Sequence, residues 1–159
     1  MENLPLDNFT PILVRGVPRI AVALDTDAEV FLEIAQEVER RLANRSLKGY
    51  AAFSGIVNRK DVIQKRLIYD IFTSRRSPVR CAAGRETAVV YADGTVGGCE
   101  LRSESLGYLP DVDMDIGAIW RGARAKEFRH AIEREACTCW HQCFLSPTIV
   151  KSPRLWLSS

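Results

Sequence analysis

The feature that most limits what this chain can become is where its thiols fall. All five cysteines of the 159 residues lie between Cys81 and Cys143, and three of them crowd into Cys137-Thr-Cys139-Trp-His-Gln-Cys143. The two halves of this stretch can meet. Ala88–Ala92 and Thr95–Cys99 flank Asp93-Gly94, a two-residue hairpin signal in which both central positions take positive φ. Such a hairpin returns Cys99 towards Cys81. Downstream, Cys137 and Cys139 share a face if extended, and Cys139 and Cys143 share one over a helical turn. A bend near Cys139 would aim all three thiols one way, so the expectation is a single metal or cluster site.

Thiolates are soft ligands that suit both zinc and iron–sulfur clusters. Structural zinc usually comes with tight Cys-x2-Cys or Cys-x4-Cys knuckles, and neither occurs here. Cys81 and Cys99, set far apart, look like ligands drawn from different elements around a bulkier object. Gly97 and Gly98 either let bare backbone N–H groups approach cluster sulfides or simply bend the strand.

The run Cys81-Ala-Ala-Gly84, the Asp93-Gly94 hairpin, Cys99-Glu100, a Leu106-Gly107-Tyr108-Leu109 turn, an Ile119-Trp120 helix and the final cysteine knot together resemble the SPASM/twitch domain. That is the auxiliary-cluster domain at the C-terminus of many radical SAM enzymes. The carrying motif is Cys81, a dozen residues, Gly94, four residues, Cys99, with Cys139-x3-Cys143 similar to the family's closing pair. The resemblance implies an α+β fold, a small β-hairpin cluster-binding domain with flanking helices. It also implies one four-iron, four-sulfur cluster on Cys81, Cys99 and Cys143, with Cys139 or Cys137 as fourth ligand. The full SPASM pattern has more cysteines and two clusters, so the single-cluster twitch form is the better match.

Three segments follow: residues 1–79, an arm and two helices that resemble the tail of a truncated radical SAM barrel; 80–146, the cluster-binding domain; and 147–159, a tail. Radical SAM chemistry also needs a Cys-x3-Cys-x2-Cys triplet, which this sequence lacks. The chain is therefore expected to be a fragment of such an enzyme or an accessory module, not catalytically complete by itself. It would support electron transfer or substrate positioning. The partners so implied are a radical SAM catalytic domain and a peptide or protein substrate. The competing reading is a structural zinc domain with no redox role, in which His141 could join the thiols; a thiol-based redox enzyme comes third, because Cys137-x-Cys139 is not the Cys-x-x-Cys arrangement.

Composition narrows the classes further. A net charge of +2 from 22 basic and 20 acidic residues is too balanced for a nucleic-acid binder. No apolar run approaches the roughly 20 residues that span a bilayer, and no charged-then-apolar leader opens the chain. The expected location is the cytoplasm, where clustered thiols more often bind metal than form disulfides.

Along the chain, residues 9–15 read as a strand broken by Pro11 and leaving into a Gly16-Val-Pro18 loop. Thr26-Asp-Ala-Glu29 is a capping-box sequence. It precedes a helix with Phe31, Ile34, Ala35, Val38 and Leu42 on one face. Tyr50–Phe53 is a strand or a buried loop. Asn58 would cap a second helix whose apolar face is Ile63, Leu67, Ile68, Ile71 and Phe72 and whose Arg59, Lys60, Lys65 and Arg66 face water. Ser77-Pro78 ends it. Asp115 caps a short helix, and a further one over 123–135 delivers the chain to Cys137. Lys126, Arg129 and Arg134 are the cations that could balance an anionic cluster. Trp140 either shields the cluster or fills core, and the tail beyond Pro147 packs back or frays.

Overall fold

The computed structural model describes residues 6–47 and 54–157; the Tyr50–Phe53 run lies outside them. The described residues contain six α-helices and a three-stranded antiparallel sheet, an α+β mixture. They divide into two compact units, one of Met1–Arg76 with Trp140–Ser159 and one of Ser77–Cys139.

The first unit is helical. Residues 9–15 form no strand: Pro11 offers no N–H to a ladder, and every strand lies in the other unit. Leu13 is buried all the same, and Gly16 turns the chain at φ 77°. Helix α1 (Ala28–Ala43) buries Phe31, Ala35 and Val38, as the apolar stripe requires. Its cap is one residue later than the capping box suggests. Asp27 accepts the Glu29 N–H at 2.8 Å, while Thr26 donates its hydroxyl backwards to the Ala23 carbonyl. Glu29 accepts from the Tyr69 hydroxyl at 2.7 Å instead of reaching back.

Helix α2 (Ser54–Ser74) begins a turn before Asn58, which is therefore an interior residue. It buries Ile63, Leu67, Ile68 and Ile71 but also Asp61, Gln64 and Lys65. The water-facing side expected for Lys65 does not exist, because α2 packs against α1 on one side and α5 (Gln142–Val150) on another. Gln64 on the second side donates to the Gln142 carbonyl at 2.9 Å and to Ser146 Oγ at 3.0 Å. Burial pushes the Lys65 ammonium below the usual lysine range, with the Asp61 carboxylate acting against the shift. Helix α5 runs on through Pro147, and the tail folds as α6 (Pro153–Leu157). Trp156 Nε1 donates to the Ile149 carbonyl at 2.9 Å, so the tail packs back. At the edge of the unit, Phe72 and Trp140 meet edge to face at 5.1 Å. The Arg75 guanidinium lies 4.9 Å from one ring centre and 5.2 Å from the other.

The second unit is built on the sheet, with strands β1 (Val89–Val90), β2 (Thr95–Gly97) and β3 (Ser105–Tyr108) in that order. The β1–β2 turn is not the two-residue form, since Gly94 has φ 92° and Asp93 is not among the positive-φ residues. Gly94 N–H closes a turn on the Tyr91 carbonyl and Tyr91 N–H pairs with the Thr95 carbonyl, each at 2.9 Å. This is a type I turn followed by a left-handed glycine. Asp93 fixes it by accepting from the Thr95 N–H at 2.9 Å and hydroxyl at 3.0 Å. Leu106-Gly107-Tyr108, expected as a turn, is strand β3; a Cβ on Gly107 would touch Ile119 at 3.0 Å. That close approach seats α3 (Ile116–Arg121) on the strand, with Asp115 capping it through the Gly117 N–H at 2.8 Å. Helix α4 (Ala123–Arg134) then buries Ala125, Phe128 and Ile132.

Candidate metal centre

Four of the five thiols belong to the sheet-bearing unit, Cys81 before the sheet, Cys99 just past β2, and Cys137 and Cys139 beyond α4. They stand within electrostatic reach of one another. The Cys81 thiol feels Cys137, Cys139 and Cys99, and the Cys137 thiol feels Cys139 and Cys99. Burial is the larger influence on both. It pushes Cys81 up to about 11, partly offset by the Ala83 N–H donated to its sulfur. Cys137 is raised by burial and the neighbouring thiols, with the Arg102 cation pulling it back. Metal-free, these two sites keep their protons; a cation or cluster would displace them.

Local backbone geometry holds the first two sulfurs. After Cys81 the chain folds into a knot in which the Ala82 carbonyl accepts from the Arg85 and Glu86 N–H groups at 3.0 and 2.9 Å. Gly84, at φ 69°, donates to the Thr87 carbonyl at 2.9 Å. Cys99 Sγ accepts from the Leu101 N–H at 3.4 Å. Cys81 and Cys99 thus share one arrangement, an amide two residues on donated to the sulfur, which favours thiolate over thiol.

The glycines answer to an aromatic ring. A Cβ on Gly98 would lie 2.3 Å from Phe128, and one on Gly84 2.6 Å from the same ring. Phe128 is wedged between the two cysteine-bearing corners, so Gly98 is there for packing. Gly97 lies beneath Tyr91, where a Cβ would meet the ring at 3.3 Å. Arg129, expected as a free balancing charge, donates to the carbonyls of Gly84 at 3.0 Å and Trp120 at 3.3 Å. Lys126 and Arg134 are exposed. Arg102, a cation that acts on the Cys137 thiol, is one that sequence reasoning passed over; a lone arginine before Ser-Glu carries no motif.

Cys143 belongs to the helical unit. It is exposed near the start of α5 in the helical unit, where the His141 carbonyl accepts the Phe144 and Leu145 N–H groups at 3.1 and 3.0 Å. Because α5 begins at Gln142, Cys139 and Cys143 do not share a helical turn. Trp140 packs on Phe72 inside the helical unit, and the His141 ring meets Phe144 edge-on at 5.3 Å.

Residues 81–144 match the family model of SPASM, an iron–sulfur cluster-binding domain. The match covers 64 of the 159 residues. It begins on Cys81 and takes in every cysteine of the chain. No curated protein and no solved structure matches the chain. The residues fit the group that the family binds. Cys81, Cys99, Cys137 and Cys139 form an all-sulfur donor set, and two of the sulfurs already accept amide hydrogens, as iron–sulfur thiolates do. No helix among the described residues is long and apolar enough to cross a membrane.

Proposed function

We propose that this chain holds one four-iron, four-sulfur cluster and serves as the auxiliary-cluster module of a radical SAM protein, docking on, or continuing, a catalytic domain that carries the S-adenosylmethionine cluster. The observations that carry this reading are the SPASM match over residues 81–144 and the presence of four of the five thiols in the sheet-bearing unit. On that basis Cys81, Cys99, Cys137 and Cys139 are the ligands. The family resemblance favours Cys143, and Cys143 is therefore the competitor to Cys137 for the fourth position.

Such a cluster supplies one-electron transfer. The chain's own residues determine how. Ala83 and Leu101 donate to the sulfurs and favour the anionic state. Phe128 fills the space between the Cys81 and Cys99 corners. The substrate of the assembly is then a peptide or protein, and the role is electron acceptance or substrate positioning in the cytoplasm. Zinc on the same thiols is the competing occupant, with a purely structural role.

Anaerobic reconstitution with iron and sulfide tests the reading. A brown protein with about four irons per chain, bleached by reduction, is the expected result. A colourless protein that retains one zinc and no iron would refute it. Cys81→Ala, Cys99→Ala, Cys137→Ala and Cys139→Ala each lose most of the iron, whereas Cys143→Ala keeps it. Full iron in Cys137→Ala with loss in Cys143→Ala would reverse the assignment of the fourth ligand.

A further inference from the structure

Arg102 follows closely on Cys99, and its backbone N–H donates to the Cys99 carbonyl at 3.4 Å. Its guanidinium grips two carboxylates on separate segments. Nε donates to Glu104 at 3.0 Å and Nη2 to Glu135 at 3.2 Å, with a second, shorter bond to each. Glu135 closes α4, its N–H donating to the Ala131 carbonyl at 2.9 Å. The chain then reverses at Ala136, φ 44°, and reaches Cys137, whose N–H donates to the Ile132 carbonyl at 3.5 Å. The guanidinium also lies 5.7 Å from the centre of the Phe128 ring, the ring that packs against Gly84 and Gly98.

We infer that Arg102 is a positioning residue for the cluster: its fork latches the Cys99 corner to the end of α4 and thereby sets Cys99 and Cys137 in place before iron arrives. The inference rests on the ligand reading above. Exposed ion pairs contribute little, but Arg102 is only 22% exposed at its side chain. It joins segments far apart in sequence through a planar fork that a lysine cannot reproduce. The carboxylates leave one net negative charge on the triad, and the cation is the member held between them. Two effects are therefore separable. The fork fixes geometry, and the charge offsets that of the thiolates.

Arg102→Lys keeps the charge without the fork, Arg102→Met removes both, and Glu135→Gln weakens the fork from the far side. Each full-length chain is reconstituted, checked for wild-type helicity, and followed for iron release to a ferrous chelator. Outer-sphere partners typically change metal affinity about 10- to 100-fold. Release about tenfold faster in both Arg102 variants, and several-fold faster in Glu135→Gln, is expected. The midpoint potential falls in Arg102→Met and holds in Arg102→Lys. Release within twofold of wild type in Arg102→Met, or restored to wild type in Arg102→Lys, would overturn the latch. The metal-free chain gives an independent reading, the yield of the Cys99–Cys137 adduct with dibromobimane mapped by mass spectrometry. It drops several-fold in Arg102→Met if the latch sets the spacing, and equal yields overturn it. A wild-type chain that takes up no iron would sink the cluster assignment alone, since the adduct yields still decide the latch.

Discussion

The two units keep their shape by different means. In the helical unit the apolar stripes of α1 and α2 are buried against each other and against α5, and the fully enclosed side chains Val38, Ile68, Ile71 and Ile149 are all aliphatic. The sheet-bearing unit has short strands of two to four residues. It is held by close backbone approaches at Gly84, Gly98 and Gly107, by Phe128 with buried Val96, Leu106, Ile119 and Ile132, and by polar fasteners such as Arg129 and Arg102. Strands this short supply few ladder hydrogen bonds, so a cluster bound there would add to the stability of this unit.

The sharpest way to break that contrast is to empty each core in turn. Phe128→Ala should cost about 3–5 kcal/mol and Ile71→Ala about 2–5 kcal/mol. Hydrogen exchange should show the first loss in amides of residues 77–139 and the second in α1, α2 and α5. A single common pattern of opening in both variants would show that the units are one cooperative body.

A smaller effect sharpens the helical side. Lys65 is buried, and burial lowers the pKa of its ammonium. With its folded pKa depressed, the unfolded chain binds the extra proton between that value and the ordinary 10.5. The stability penalty is thus complete at neutral pH and is relieved as pH rises through this window. Lys65→Met should be more stable at pH 7 by roughly 1–2 kcal/mol. Its advantage over wild type should shrink towards pH 10.5, read from paired denaturant titrations. An advantage independent of pH would mean that packing, not charge, is responsible.

The smallest effect compares like with like. Asp27 caps α1 and Asp115 caps α3 through the same bond, a carboxylate accepting the amide two residues on. Each Asp→Ala change should cost about 1 kcal/mol by denaturant titration. A much larger loss for Asp115 would indicate that α3 depends on its cap where α1 depends on its buried face.

Periodicity and capping chemistry made α1, α3 and α4 legible, because each has a recurrent apolar face or an Asp at its start. Density of thiols made the SPASM segment legible. What escaped were features set by the second neighbour of an element. Lys65 reads as a water-facing residue until α1 covers that side of α2, and β3 reads as a turn because Gly107 hides the Ile119 contact that makes it a strand. The hairpin was expected with two positive-φ residues, but Asp93 satisfies the Thr95 N–H from an ordinary conformation and leaves only Gly94 to the left. Arg102 went unnoticed for the same reason as Lys65: its partners Glu104 and Glu135 are brought together only by the fold.

The sheet-bearing unit is an excursion from the helical one, leaving after Arg76 and returning at Trp140. Phe72, Arg75 and Trp140 stack beside those two points and belong wholly to the helical unit. If the excursion melts, its ends remain tethered, so it collapses from a closed loop whose entropic cost grows only slowly with length. On the proposed reading, iron would leave and re-enter such a loop while the helices of the other unit stay folded.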